Sequence, residues 1–295
     1  MRNGEKVLKK GFIGLFMLTT LLVFVGCSVG QSQEVGKTEK LQASAAAKTS
    51  ENVEKSTVPT VFIHGYGGTA NSFGGMIQRL TNAGKTQREM VITVQTDGSL
   101  QVDGQLSKKK NNPSIQVLFL ANKDNEWNQT KWIYEVLKYV KQQGADQINL
   151  VGHSMGGVSS LRYLTTYGQP EDAPMIKKFI SIGAPFNDFD DTSGEQSIDN
   201  LLQNGPSQEA SRYVDYTNGI DNIPDQLPIL LLAGKLAEDS TTDGTVPLTS
   251  ALATYPLLKA HGNPITYQVF TGPHAQHSQL HENLEVDQAV ADFLW

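Results

Sequence analysis

Residues 148–157, Ile-Asn-Leu-Val-Gly-His-Ser-Met-Gly-Gly, constrain this chain more than any other stretch. An apolar run ends in Gly152-His153-Ser154-Met155-Gly156, and a segment of helical character, 158–167, follows at once. The pattern reads strand, G-x-S-x-G, helix, which puts Ser154 on a strained turn between the two elements. A side chain at Gly152 or Gly156 would crowd the neighbouring backbone, so both positions require glycine. The turn lifts the Ser154 hydroxyl clear of the sheet. The Met155 amide falls near a helix N-terminus, where it can meet a developing oxyanion.

A second motif sits on an earlier strand. Thr60-Val61-Phe62-Ile63 is a short apolar run that enters His64-Gly65-Tyr66-Gly67-Gly68. Acyl transfer to a serine needs a second backbone N–H aimed at the oxyanion from such a loop. Tyr66 is the candidate donor, because the flanking glycines let the backbone face a pocket.

Two later stretches join these motifs: Asp243-Gly244-Thr245-Val246-Pro247 and His277-Ser278-Gln279-Leu280-His281-Glu282-Asn283. On all four, the chain resembles the α/β-hydrolase superfamily, in particular small bacterial lipases and esterases. Within that group it is similar to a family of predicted cell-surface hydrolases from Gram-positive bacteria. The motifs span residues 60–283, so the resemblance covers a whole domain. It implies an α/β-hydrolase fold and a chain order of serine, then acid, then histidine.

A serine hydroxyl is a poor nucleophile until a histidine takes its proton, and that imidazole needs a carboxylate to set its tautomer. The acid should follow a late strand. After the apolar run 228–233 come Glu238, Asp239 and Asp243. The resemblance favours Asp243, with Asp239 as the alternative. The base must lie beyond the last strand, which leaves His274, His277 and His281. The resemblance selects His277. His277 and His281 stand four apart, but H-E-x-x-H is missing and no cysteine supports a metal site, so none is expected. Neither a Walker loop nor a dinucleotide fingerprint is present, and no cofactor is expected.

The chain has 295 residues, and its start reads as a leader. Arg2, Lys6, Lys9 and Lys10 precede an apolar stretch, 11–25, shorter than the ~20 residues of a membrane span. Val25-Gly26 then leads into Cys27, the single cysteine of the chain. This reads as a lipoprotein signal over 1–26 with Cys27 as the lipidated residue, although Phe24 departs from the leucine usual near such sites. Residues 27–56 lack aromatic side chains and are rich in Gln, Ser, Glu, Lys, Thr and Ala. They read as a flexible spacer from the membrane, and 57–295 as the folded domain. With Cys27 used as an anchor, disulfides and thiol catalysis are excluded.

Formal charge is −6, and the basic leader makes the remainder more acidic still. Without a basic stripe, nucleic acid and anionic polymers are unsuitable partners.

Strand-like runs at 58–64, 90–95, 115–121, 147–151, 178–182, 228–232 and 265–270 alternate with helical intervals at 73–83, 130–142, 158–167, 246–255 and 284–295. The last four strand runs are continuously apolar or β-branched, as in strands covered on both faces. The spacing predicts an α/β fold with a mostly parallel sheet. Residues 90–106 read as an antiparallel hairpin around Thr96-Asp97-Gly98-Ser99, extending one edge. Residues 186–227 form a long insertion with little strand character, expected to cap the active site with helical pieces near 197–203 and 207–216. Its acidic residues Asp188, Asp190, Asp191 and Glu195 read as a solvated loop.

The leading expectation is a membrane-tethered, extracytoplasmic serine hydrolase acting on a small ester or acyl-lipid substrate. An acyltransferase on the same residues and a non-catalytic surface binding module are the alternatives.

Overall fold

The structure is a computed structural model that describes residues 55–189 and 194–295. The expected leader, Cys27 and the spacer as far as residue 54 lie outside the described residues, as do Asp190 and Asp191.

Eight strands form one sheet in the order β3-β2-β4-β1-β5-β6-β8-β9. They are β1 (Thr60–Ile63), β2 (Gln87–Val94), β3 (Leu100–Gly104), β4 (Pro113–Phe119), β5 (Gln147–His153), β6 (Met175–Ile182), β8 (Ile229–Lys235) and β9 (Ile265–Thr271). All neighbours pair in parallel except β2 and β3, an antiparallel hairpin at one edge. Its turn is closed by Gln95 N–H donating to Ser99 O (2.8 Å), with Gly98 at φ +85°.

The helices are α1 (Ala70–Asn82), α2 (Glu126–Gln142), α3 (Met155–Tyr167), α4 (Ile198–Asn204), α5 (Ser211–Asn218), α6 (Leu248–Ala251), α7 (Tyr255–His261) and α8 (Leu284–Leu294). Alternation along β1 divides the core. Val61 and Ile63 pack with Ile133, Val136 and Leu137 of α2 and Val158 and Leu161 of α3. Phe62 packs on the opposite face with Phe73 and Met76 of α1 and Val286 and Val290 of α8. Burying each such side chain contributes about 1.5–3 kcal/mol.

Several sequence expectations need correction. The run 265–270 is not buried on both faces. β9 is an edge strand, and Phe270 is its one buried residue. The helical interval 246–255 breaks into α6 and α7, because Pro256 lacks an N–H and can occupy only the first turn of a new helix. Residues 186–227 begin with a short strand, β7 (Phe186–Phe189), which lies outside the main sheet. The second helical piece, expected from 207, starts later as α5. Gln196 Oε1 takes the Ser207 amide (2.9 Å) and Asn187 Oδ1 takes the Ala210 amide (2.8 Å), which holds the intervening chain out of the helix.

The insertion is fastened to the core by a buried ion network. Glu126, at the start of α2, accepts from Arg162 Nε of α3 (3.0 Å) and Arg212 Nε of α5 (2.8 Å). Arg212 also reaches Asp188 (2.6 Å) and Pro185 O (2.7 Å), while Arg162 reaches Asp215 (2.8 Å) and lies 4.6 Å from the Trp127 ring centre. Asp188 is therefore an ion-pair partner rather than part of a solvated acidic loop. Removing one member of a buried pair leaves the other uncompensated, so Glu126→Gln should destabilise the fold by about 3–5 kcal/mol. No helix among the described residues is long and apolar enough to cross a membrane.

Candidate active site

Ser154 stands where β5 becomes α3, at φ +53° and ψ −126°. The strain persists because the surroundings allow no alternative. A Cβ on Gly152 would sit 2.5 Å from Gly156 O, and one on Gly156 would sit 2.2 Å from Ile63 O. The Ser154 amide donates to Ile182 O on β6 (2.8 Å), which ties the turn to the next strand.

The loops after β8 and β9 open at the same end of the sheet as this turn, the carboxyl ends of parallel strands. They bring Asp243 and His277 to Ser154. His277 Nε2 lies 2.9 Å from Ser154 Oγ, and His277 Nδ1 lies 2.8 Å from Asp243 Oδ2. With Asp243 ionised, Nδ1–H donates to the carboxylate and Nε2 is left to accept the Ser154 O–H. Asp243 is buried and held from its other side, since Oδ1 accepts the amides of Thr245 (2.9 Å) and Val246 (2.7 Å). The His277 amide donates back to Asp243 O (2.9 Å), so the two loops are joined through backbone as well as side chain.

The alternatives are placed elsewhere. Asp239 and His274 are exposed. His281 turns to Glu282, with Nδ1 3.1 Å from Oε1.

Tyr66 and Met155 border a cavity of 460 Å³ with Ser154 and His277. Within the glycine loop, the Gly67 amide donates to Asn122 O (2.7 Å) and the Gly68 amide to Gly65 O (3.0 Å). Asn122 Nδ2 returns a bond to Gly68 O (2.8 Å), so the loop is fixed around Tyr66. His64 secures its base. Its Nε2 accepts the Phe119 amide (3.0 Å), which leaves Nδ1–H to donate to Gly65 O (2.8 Å) and defines a neutral tautomer.

Sequence reasoning left three contributors unassigned. His153 donates Nε2–H to His277 O (3.0 Å), and its ring packs 4.9 Å from that of His277 and 4.7 Å from that of His281. Gly183, at φ +56°, lies beneath the pair, since a Cβ there would come 3.3 Å from Asp243 Oδ2 and 3.4 Å from His277 Nδ1. Arg79 of α1 joins Glu282 (2.6 Å), Asp287 (2.5 Å) and His281 O (2.9 Å), anchoring the histidine loop to α1 and α8. Only His153 carried a sequence signal, its place inside the serine motif.

Burial is the largest influence on His64, His153 and His281, and it holds all three below the ordinary imidazole value of 6.5. The unfolded chain therefore takes up these protons first. The stability the three contribute is full above about pH 6.5 and is lost as pH falls below it. Burial raises Asp287, which works in the opposite sense, but over the carboxylate range. The urea midpoint should be lower at pH 5.5 than at pH 7.5. Equal midpoints would contradict the neutral, buried assignment.

The family described as "alpha/beta hydrolase of unknown function" (DUF915) matches residues 47–295. The chain belongs to this family. A Listeria innocua gene product of known structure is 28% identical to the hydrolase, with a TM-score of 0.74 over 80% of this chain and 93% of that one. A Lactobacillus plantarum WCFS1 protein, assigned as a cell-surface hydrolase, is 22% identical at a TM-score of 0.61, covering 79% of this chain and 88% of its own. No curated protein matches the hydrolase at the sequence level.

Two cavities meet at Ser154 and His277 of the hydrolase. The cavity of 460 Å³ is walled by Met155, Val158, Pro185, Phe189, Arg212 and Thr245. The other, of 360 Å³, lies between the glycine loop and the histidine loop, where Asn71, Ser72, Ser278, Gln279, His281 and Glu282 face it.

Proposed function

We propose that this hydrolase cleaves carboxylic esters through an acyl-enzyme on Ser154. The observation that carries the reading is the unbroken chain of hydrogen bonds from Ser154 through His277 to Asp243. His277 Nε2 takes the serine proton as Oγ attacks the ester carbonyl, and Asp243 stabilises the imidazolium that results. The Tyr66 and Met155 amides receive the negative charge on the carbonyl oxygen. His277 then gives its proton to the departing alcohol oxygen. Water, deprotonated by the same nitrogen, releases the acid and restores the serine.

The apolar cavity receives the acyl chain. Its volume lies toward the low end of the ~300–1,000 Å³ usual for small-molecule sites, and its wall includes Phe189 and Arg212 from the fastened insertion 186–227. Phe189 and Arg212 narrow this side as part of a cap, which favours short to medium acyl chains. p-Nitrophenyl esters of graded length, with Ser154→Ala as the blank, test this. Turnover is expected to peak at short to medium chains, with little release from emulsified triolein. Strong activation at a triolein surface together with poor turnover of soluble short-chain esters would contradict it.

The enzyme works outside the cytoplasm on a lipid anchor at Cys27. The basic, apolar and small-residue order before that cysteine supports this, as does the cell-surface assignment of the Lactobacillus plantarum relative. Labelled fatty acid should mark the wild-type chain and not Cys27→Ser. Equal labelling would exclude the anchor.

A further inference from the structure

The two cavities share Ser154 and His277 and differ in the chemistry of the rest of their walls. The leaving oxygen must take its proton from His277 Nε2, which both cavities reach. The lining therefore decides between them: the polar cavity along the histidine loop suits the alcohol portion and the apolar one the acyl chain. The cavity of 360 Å³ is lined on that side by Ser278, Gln279, His281 and Glu282 and across from it by Asn71. Asn71, Ser278 and Gln279 are exposed and carry uncharged hydrogen-bonding side chains. The opposite cavity, past the Met155 amide, is walled by Val158, Pro185 and Phe189.

Charge narrows the alcohol further. Glu282 is the one acidic side chain facing the polar cavity, and it is already engaged by Arg79 (2.6 Å) and by His281 Nδ1 (3.1 Å). It offers little to a cationic head group. The N-terminus of α1, also on this side, is occupied by its own cap. The Thr69 hydroxyl accepts the Asn71 amide (3.3 Å), and Thr69 O accepts the Ser72 amide (3.0 Å). Two of the first-turn amides that would hold a phosphate, those of Asn71 and Ser72, are thus already taken.

Resting on the Ser154 reading, we infer that the substrate is an ester joining an apolar acyl chain to an uncharged polyhydroxylated alcohol. The alcohol is held by Asn71, Ser278 and Gln279 in the polar cavity. This goes beyond ester hydrolysis as such, because it assigns recognition to the leaving group as well as to the acyl chain.

The test holds the acyl group constant and varies the alcohol: glyceryl monobutyrate, ethyl butyrate and butyrylcholine. The wild-type enzyme should favour the glyceryl ester over each of the other two by about tenfold in kcat/KM, the effect of one or two hydrogen bonds. In the double variant Asn71→Ala/Gln279→Ala the preference should collapse toward unity, mainly through a higher KM for the glyceryl ester. Equal kcat/KM for the three esters, all abolished by Ser154→Ala, would overturn this inference and leave the serine reading standing. A preference for butyrylcholine, or a glyceryl preference unmoved in the double variant, would overturn it as well. Absence of Ser154-dependent turnover of any of the three would overturn both.

Discussion

Replacing Ser154 by alanine is expected to lower kcat for ester hydrolysis by about 10⁴-fold or more while leaving the fold intact. The hydroxyl is the only group lost, and its Oγ meets His277 Nε2 at 2.9 Å. The strained backbone at φ +53° is imposed by Gly152, Gly156 and the Ser154 amide bond to Ile182, none of which the substitution touches. Far-UV circular dichroism and the urea midpoint should therefore match wild type. On the proposed reading, residual activity would come from oxyanion donors at Tyr66 and Met155, which the substitution leaves in place. Activity within tenfold of wild type, in a preparation free of contaminating esterase, would refute the nucleophile assignment.

The second large effect concerns the pair behind the serine. Asp243→Asn should lower kcat by about 10⁴-fold although the side chain keeps its size. The amide carbonyl can still accept from Thr245 and Val246, which turns the new NH₂ toward His277 Nδ1. That nitrogen must then accept, so the proton moves to Nε2, which can no longer take the one on Ser154. His277→Ala should be equally impaired, by loss of the base. Neither defect should deepen much when combined with Ser154→Ala, because the three groups act as a unit. Losses that multiply in the double variants would show independent roles. An active His277→Ala beside an inactive His274→Ala would show that the base had been misassigned.

The parts of this molecule legible in the sequence are those where backbone geometry forces residue identity. The turn at Ser154 admits only glycine at 152 and 156, so the motif announces strand, turn and helix together. Strands β5, β6 and β8 lie inside the sheet; the unbroken apolar run of β8 says so, while Asn149 interrupts that of β5 and Ser181 that of β6. β9 has a similar run but sits at an edge, and composition does not reveal whether a neighbour pairs on both sides. The α6–α7 break was visible in principle at Pro256, but the apolar run through it hid the boundary. Partnerships between residues far apart in the chain are not legible. Glu126 and Arg212 are 86 positions apart, Arg79 and Asp287 are 208 apart, and no local pattern pairs them. His153 was visible as a motif residue, but its bond to His277 O exists only once β5 and the histidine loop share an end of the sheet.

The most direct test of the central claim is where a covalent acyl-site probe attaches. The folded protein is treated with a fluorophosphonate, digested, and its peptides mapped by mass spectrometry. One adduct is expected, on Ser154, absent from Ser154→Ala and much slowed in His277→Ala. Folded protein that takes up no probe, or an adduct on any other residue, would contradict the assignment of Ser154 as the nucleophile of an ester-cleaving enzyme.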